Sequence, residues 1–143
     1  MAMARTSLAD AEHLSAADVI HARFTALPAT AMVGEVRAWF EQSSSRRMAF
    51  LADGDRYAGS IPLDVLKGAD DAQPASSVAL LGPVVAPGAT ARESYDIAVL
   101  TDANRVPVVD EHGTLLGVVG VTEDRAAFCG TAGAASVGPP GSC

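Results

Sequence analysis

Apolar residues recur along the chain with two periods. Met32, Val36, Trp39 and Phe40 fall on one helical face, which predicts a helix with Thr30 placed to cap it. Thr90-Ala91-Arg92-Glu93 puts a Thr at a cap position and a Glu three residues later, and Ile97, Ala98 and Thr101 share the face that follows. Between and after these helices the pattern changes. The runs Met48–Ala52 and Val106–Asp110 are short, apolar and bounded by turns, as buried strands are. The turns Asp53-Gly54 and His112-Gly113 lead into Tyr57–Ile61 and Leu115–Val121, so each pair of runs is expected to form an antiparallel hairpin. Short helices over Leu63–Lys67 and Glu123–Cys129 are expected to close the pattern, and the strand-like segments Phe24–Leu27 and Val84–Ala86 to open it. Ser7–Ala22 is Ala-rich, with Leu8, Ala11, Leu14, Ala17 and Val19, and reads as helical, with Ser15 able to cap a second helix.

These elements repeat. Leu27-Pro28-Ala29-Thr30 returns as Pro87-Gly88-Ala89-Thr90. Arg47 and Arg105 each lead an apolar run, an acidic glycine turn follows both, and Gly59 and Gly117 sit at the same place in the second run. The expectation is an α/β fold of two β-α-β-β-α repeats about a pseudo-twofold axis. An N-terminal helical extension would occupy 1–17, the first repeat 18–68, a linker 69–77, the second repeat 78–129 and a disordered tail 130–143. The linker, which follows Gly68, contains Asp70, Asp71 and Pro74. The tail has four glycines, two prolines and no charged side chain.

The second repeat carries a recognisable motif. Asn104-Arg105-Val106-Pro107-Val108-Val109-Asp110-Glu111-His112-Gly113-Thr114-Leu115-Leu116-Gly117-Val118-Val119 resembles the signature of CBS domains, the modules named after cystathionine β-synthase. The first repeat is a weaker match. Arg47-Met48-Ala49-Phe50-Leu51 lacks the proline, whereas Asp53-Gly54-Asp55-Arg56-Tyr57-Ala58-Gly59 keeps the turn and the glycine. The resemblance covers residues 18 to 128 and implies a tandem pair, or Bateman module. It also implies assembly as a homodimer, and adenosine nucleotides or adenosyl compounds bound between the repeats to regulate a partner protein.

In nucleotide-binding members of that family, a Gly is followed three residues later by Ser or Thr for the phosphate, and after three more by Asp for the ribose. Counted from Gly117, those positions hold Gly120 and Glu123; from Gly59 they hold Pro62 and Val65. The second repeat therefore keeps one carboxylate, with Thr122 and Asp124 a step away. The resemblance implies a site in which Glu123 meets the ribose, Arg105 or Arg47 the phosphate, and Val106 and Pro107 wall the adenine. The alternative for Thr122, Glu123 and Asp124 is the cap and acidic first turn of the last helix. The alternative for Arg46, Arg47 and Arg105 is surface pairing with carboxylates.

Composition narrows the remaining classes. The chain has 143 residues, 17 acidic and 10 basic, for a net charge of −7, which argues against a nucleic-acid partner. Two cysteines exclude a disulfide framework and suit a reducing, cytoplasmic setting. No apolar run approaches the ~20 residues of a membrane span, and Asp10, Glu12, His13 and Asp18 argue against a secretory signal. His13, His21 and His112 share no metal-ligand spacing with each other or with a cysteine. The usual nucleophile and phosphate-loop motifs do not occur, so no catalytic residue is assigned. Nine of the ten basic residues are Arg and Ala is abundant, a bias of GC-rich bacterial genomes. The expectation is a non-enzymatic ligand sensor for AMP, ADP, ATP or S-adenosylmethionine, with an unknown regulated protein; the rival is a ligand-free dimerisation or docking module.

Overall fold

A computed structural model of the chain describes residues 4–21, 24–44, 46–130 and 136–137. Helix α1 spans Val33–Glu41 and buries Val33, Val36 and Phe40. It starts later than the sequence suggests: Met32 is the N-cap, and the Glu35 side chain accepts from its backbone N–H at 3.3 Å. Helix α2 spans Ala91–Leu100 and is capped as expected, the Thr90 hydroxyl accepting from the Glu93 N–H at 3.0 Å.

Numbered in chain order, the strands are β1 (Ala4–Ser7), β2 (Leu27–Pro28), β3 (Met48–Asp53), β4 (Arg56–Pro62), β5 (Arg105–Val109), β6 (Leu115–Gly120), β7 (Ala127–Cys129) and β8 (Ser136–Val137). The hairpins β3–β4 and β5–β6 are both antiparallel. Each has a register shift at the corresponding place, Leu51/Ala52 and Val108/Val109. β2 adds to β3 in parallel, pairing Leu27 with Leu51, and Val85 makes the matching parallel bridge to Val108. The repeat read from the sequence is thus a structural repeat.

The two hairpin turns clasp each other at Arg56 and Thr114, which form an antiparallel bridge and stand in equivalent positions of the two repeats. The Tyr57 N–H donates to the Gly113 carbonyl at 2.9 Å and the Leu115 N–H to that of Asp55 at 2.8 Å. A bridge between equivalent residues marks where the pseudo-twofold axis passes. Met48, Phe50, Ala52, Ala103, Leu115 and Val118 form a buried cluster between the repeats.

The segments that lead into the repeats cross over. Ile20 bridges Val119 of β6, and Ala16 and Val19 are buried in the core of the second repeat with Val106, Val108 and Phe128. Leu80 bridges Ser60 of β4, and Ala75 is buried in the core of the first repeat with Val36, Leu51 and Ile61. The 69–77 segment expected as a linker is therefore packed. It contains a 3-10 turn at Ala75–Ser77, and Pro74 bridges Met32.

Three expected elements differ. Ser7–Ala22 is not a continuous helix. It begins at the end of β1, passes through turns and holds a 3-10 turn at Ala16–Val19 whose N-cap is Ser15, with the Asp18 carboxylate accepting from the Ser15 N–H at 2.9 Å. Leu63–Leu66 is a 3-10 turn, not an α-helix. Glu123–Cys129 contains no helix. Arg125 has φ 61°, a left-handed conformation that breaks a right-handed helix, and the chain reverses into β7 with Phe128 fully buried. β7 pairs with β1, and β8 pairs with the other edge of β1. The expected tail thus contributes Ser136–Val137 to a sheet, and Gly130 is buried. Its other residues, 131–135 and 138–143, lie outside the described residues.

Candidate functional site

The crossed segments leave a cleft of ≈ 200 Å³ where the repeats meet. The first repeat contributes Met48 at the start of β3 and Ser60 and Pro62 at the end of β4. Leu80, Gly82 and Pro83 come from the segment that crosses β4. The second repeat contributes Thr101 and Asp102, just past α2, and Arg105 and Pro107 on β5. Alternation along β5 explains why Arg105 and Pro107 line the cleft while Val106, between them, is buried in the core of the second repeat. Val106 is thus core rather than the cleft wall expected of it.

Several polar groups of the cleft are already engaged. Arg105 Nη1 donates to the carbonyls of Asn104 at 3.1 Å, Val121 at 3.2 Å and Ala103 at 3.4 Å. Its guanidinium lies over Gly120, where an added Cβ would stand 3.3 Å from Arg105 Cζ and 3.0 Å from Cys129 Sγ. Gly120 is therefore where a side chain passes close to the strand. The Thr101 hydroxyl donates to the Ala98 carbonyl at 2.7 Å and accepts from the Arg105 N–H at 3.2 Å. Ser60 Oγ and the Tyr57 hydroxyl are 2.6 Å apart. Burial raises the Tyr57 pKa above its ordinary value, and the bond with Ser60 opposes the shift. Asp102 is exposed at the rim, and its carboxylate makes no hydrogen bond or ion pair among the described residues.

The other expected site residues gather elsewhere. Thr122 is fully buried; its hydroxyl donates to Asp124 Oδ1 at 2.6 Å and accepts from the Ala127 N–H at 3.3 Å. The Thr122 hydroxyl is the chief cause that holds the Asp124 carboxyl below the ordinary aspartate range, followed by the Ala126 N–H, with Arg5 nearby. Thr122 and Asp124 thus shape the turn into β7. Glu123 forms an ion pair with Arg47, which joins the two repeats. The structure brings together the groups assigned to ribose and phosphate, but against each other. Arg46 stacks on the Trp39 ring, 4.3 Å from its centroid, and donates to Gln42 Oε1 at 2.9 Å.

Asp102, Thr101 and Ser60 were not singled out by sequence reasoning, which looked downstream of the strand glycines. Asp102 stands three residues ahead of Arg105, outside the Asn104–Val119 stretch that resembles the family signature. Among the described residues no three His, Cys, Asp or Glu side chains cluster as a metal site would need, and no helix is long and apolar enough to cross a membrane.

No family model and no curated protein matches the sequence. Solved structures are similar. The cystathionine β-synthase pair domain of a putative Mg2+ transporter from Shewanella oneidensis MR-1 superposes with a TM-score of 0.63 at 18% identity. The match covers 71% of this chain and 61% of that one, so the chain spans about three fifths of that domain's length. The CBS domains of a transcriptional regulator from Streptococcus pneumoniae give 0.62 at 16% identity, covering 74% and 92% of the two chains. The cytosolic domain of the Mg2+ channel MgtE, solved in complex with ATP, gives 0.56 at 22% identity, covering 68% and 42%. With two hairpin repeats about a pseudo-twofold axis and these neighbours, the chain has the fold of a tandem CBS-domain pair, the Bateman module.

Proposed function

We propose that the chain is a non-catalytic regulatory module that binds an adenine nucleotide or adenosyl compound between its repeats and acts, as a homodimer, on a partner protein. One observation carries this reading: both repeats and a crossing segment build an apolar-walled cleft with a free carboxylate at its rim. Met48, Leu80, Pro83 and Pro107 suit the faces of a flat base, and a carboxylate suits a ribose diol because it accepts two O–H bonds. The volume of ≈ 200 Å³ is below the about 300–1,000 Å³ of sites for drug-sized ligands, which favours a nucleoside-sized group. The related Mg2+ channel domain was solved with ATP, which supports an adenine ligand for the fold. Leu100, 83% exposed at the end of α2, and Leu81, 74% exposed, supply apolar surface for assembly.

The test is thermal unfolding of the full chain with adenosine, AMP, ADP, ATP and S-adenosylmethionine. A ligand at 100 times its Kd stabilises by about 2.7 kcal/mol, which raises Tm by several degrees. Leu80→Trp, which fills the mouth from a half-exposed position, should abolish the rise. No shift with any of the five compounds would leave the cleft empty and favour a ligand-free docking module.

A further inference from the structure

Resting on that assignment of the cleft, we infer that it selects adenosyl-type ligands that are uncharged or cationic, against phosphorylated ones, with Asp102 as the specificity-determining residue. The cleft has the shape for a nucleoside, and although Arg105 lines it beside Asp102, that guanidinium is turned onto main-chain carbonyls while the carboxylate is left open. Asp102 stands two residues past the last residue of α2, a helix of ten residues with no basic side chain in its last turn. The partial negative charge of the helix C-terminus therefore adds to that of the carboxylate. Both repel an anion and attract a cation, and the chain's net charge of −7 acts in the same direction at long range.

The groups that would otherwise hold a phosphate are committed. Arg105, the cation in the cleft lining, uses Nη1 on three main-chain carbonyls and lies back over Gly120. To clamp a phosphate with its full fork it would have to abandon those carbonyls. The Thr101 hydroxyl donates to the end of α2, and the Ser60 hydroxyl is hydrogen-bonded to that of Tyr57. The carboxylate of Asp102 remains. An unpaired carboxylate is an acceptor with no donor capacity; it can take the two O–H groups of a ribose diol or pair with an amine or sulfonium centre. The site can thus recognise the sugar of a nucleoside while disfavouring the phosphate that a nucleotide carries beside it.

The test is titration calorimetry on the full chain with adenosine, S-adenosylmethionine and AMP, each at low and at physiological salt. Adenosine and S-adenosylmethionine should bind at least about tenfold more tightly than AMP, equivalent to about 1.4 kcal/mol. AMP binding should strengthen as salt rises, because screening weakens repulsion. Asp102 is exposed, so Asp102→Asn should fold like the wild type, and in that variant the preference for adenosine over AMP should shrink to within about threefold. Equal binding of AMP and adenosine by the wild type, or a preference unchanged in Asp102→Asn, would overturn the selection and leave the cleft assignment standing. If none of the three compounds binds, the cleft assignment falls and the selection falls with it.

Discussion

Arg47 and Arg105 each stand at the head of a hairpin but one residue out of step: Arg47 lies just before β3, whereas Arg105 is the first residue of β5 and, paired with Gly120 as Met48 is with Pro62, is the counterpart of Met48. Their side chains act differently. Arg47 crosses to the other repeat and pairs with Glu123, whereas Arg105 turns back onto the carbonyls of Ala103, Asn104 and Val121. The difference follows from what each meets. Arg105 lies over Gly120, its cross-strand partner, where no Cβ obstructs it; the corresponding pair in the first repeat is Met48 with Pro62, so Arg47 stands one place earlier in its hairpin. The counterpart of Glu123 is Val65 and, by the strand register, that of Arg47 is Asn104, so the ion pair has no equivalent on the other side. A repeat with similar strands can therefore have asymmetric sides, one joined by an ion pair and one left as a cleft, through a few differences in what its strands and turns carry.

The closing segments differ most, and replacing their anchors should have the largest effect. Phe128 on β7 is fully buried and packs edge-on against Tyr95, with ring centroids 6.1 Å apart. Phe128→Ala should cost about 3–5 kcal/mol. Leu66, its counterpart in closing the first repeat, borders an open groove beside Arg37 and Lys67, where neighbours can collapse inward. Leu66→Ala should fall at the lower end of about 2–5 kcal/mol. Urea unfolding of both variants measures the difference, and equal costs would mean that β7 is no better anchored than the 3-10 turn.

That contrast also shows where sequence reasoning succeeded. The hairpins were legible because an apolar run, an Asp-Gly or His-Gly turn and a second apolar run are local signals. Thr90 was legible as a cap because its Glu lies three residues on. The last segment was misread because Thr122 and Asp124 look the same at the start of a helix as in a turn. What decides between them is Arg125 in the left-handed region and the pairing of β7 with β1, more than a hundred residues earlier in the chain. The Ala-rich Ser7–Ala22 failed for the same reason, since packing of Ala16 and Val19 against the distant second repeat outweighs helix propensity. Arg105 and Pro107 were found in the cleft because the motif names them. Asp102 was missed because its place there depends on how α2 ends.

The strand glycines test whether the crossing of the leading segments is equivalent on the two sides. A Cβ on Gly59 would stand 2.7 Å from Ala79 Cβ, and one on Gly117 would stand 2.5 Å from Ile20 Cγ2. Either contact forces the crossing segment outward, and overpacking of this kind costs about 1–3 kcal/mol. Gly59 also has φ +135°, which L side chains rarely adopt, so Gly59→Ala carries a further strain of about 1–3 kcal/mol. Both alanine variants should lower the urea midpoint, Gly59→Ala by more. The reverse order would place the greater constraint at the Ile20 crossing.

The two arginines should differ, and the smallest effect of all is expected at Arg47. Arg105 donates from a part-buried position to main-chain carbonyls, and hydrogen bonds from charged groups contribute about 1.5–3 kcal/mol, so Arg105→Ala should lose an amount of that order. The Arg47–Glu123 pair is open to water, with side chains 39% and 58% exposed. Screening there reduces an ion pair to about 0.2–1 kcal/mol in a double-mutant cycle. The cycle of Arg47→Ala, Glu123→Ala and the double variant should give a coupling in that range. The coupling should fade between low salt and 1 M salt, where the screening length shrinks to about 3 Å. The loss in Arg105→Ala should persist under the same change, because carbonyl partners are neutral and partly shielded. A coupling at Arg47–Glu123 that survives 1 M salt would mean that the pair is held by more than Coulomb attraction, and would move the joint between the repeats from the Arg56–Thr114 clasp toward that side.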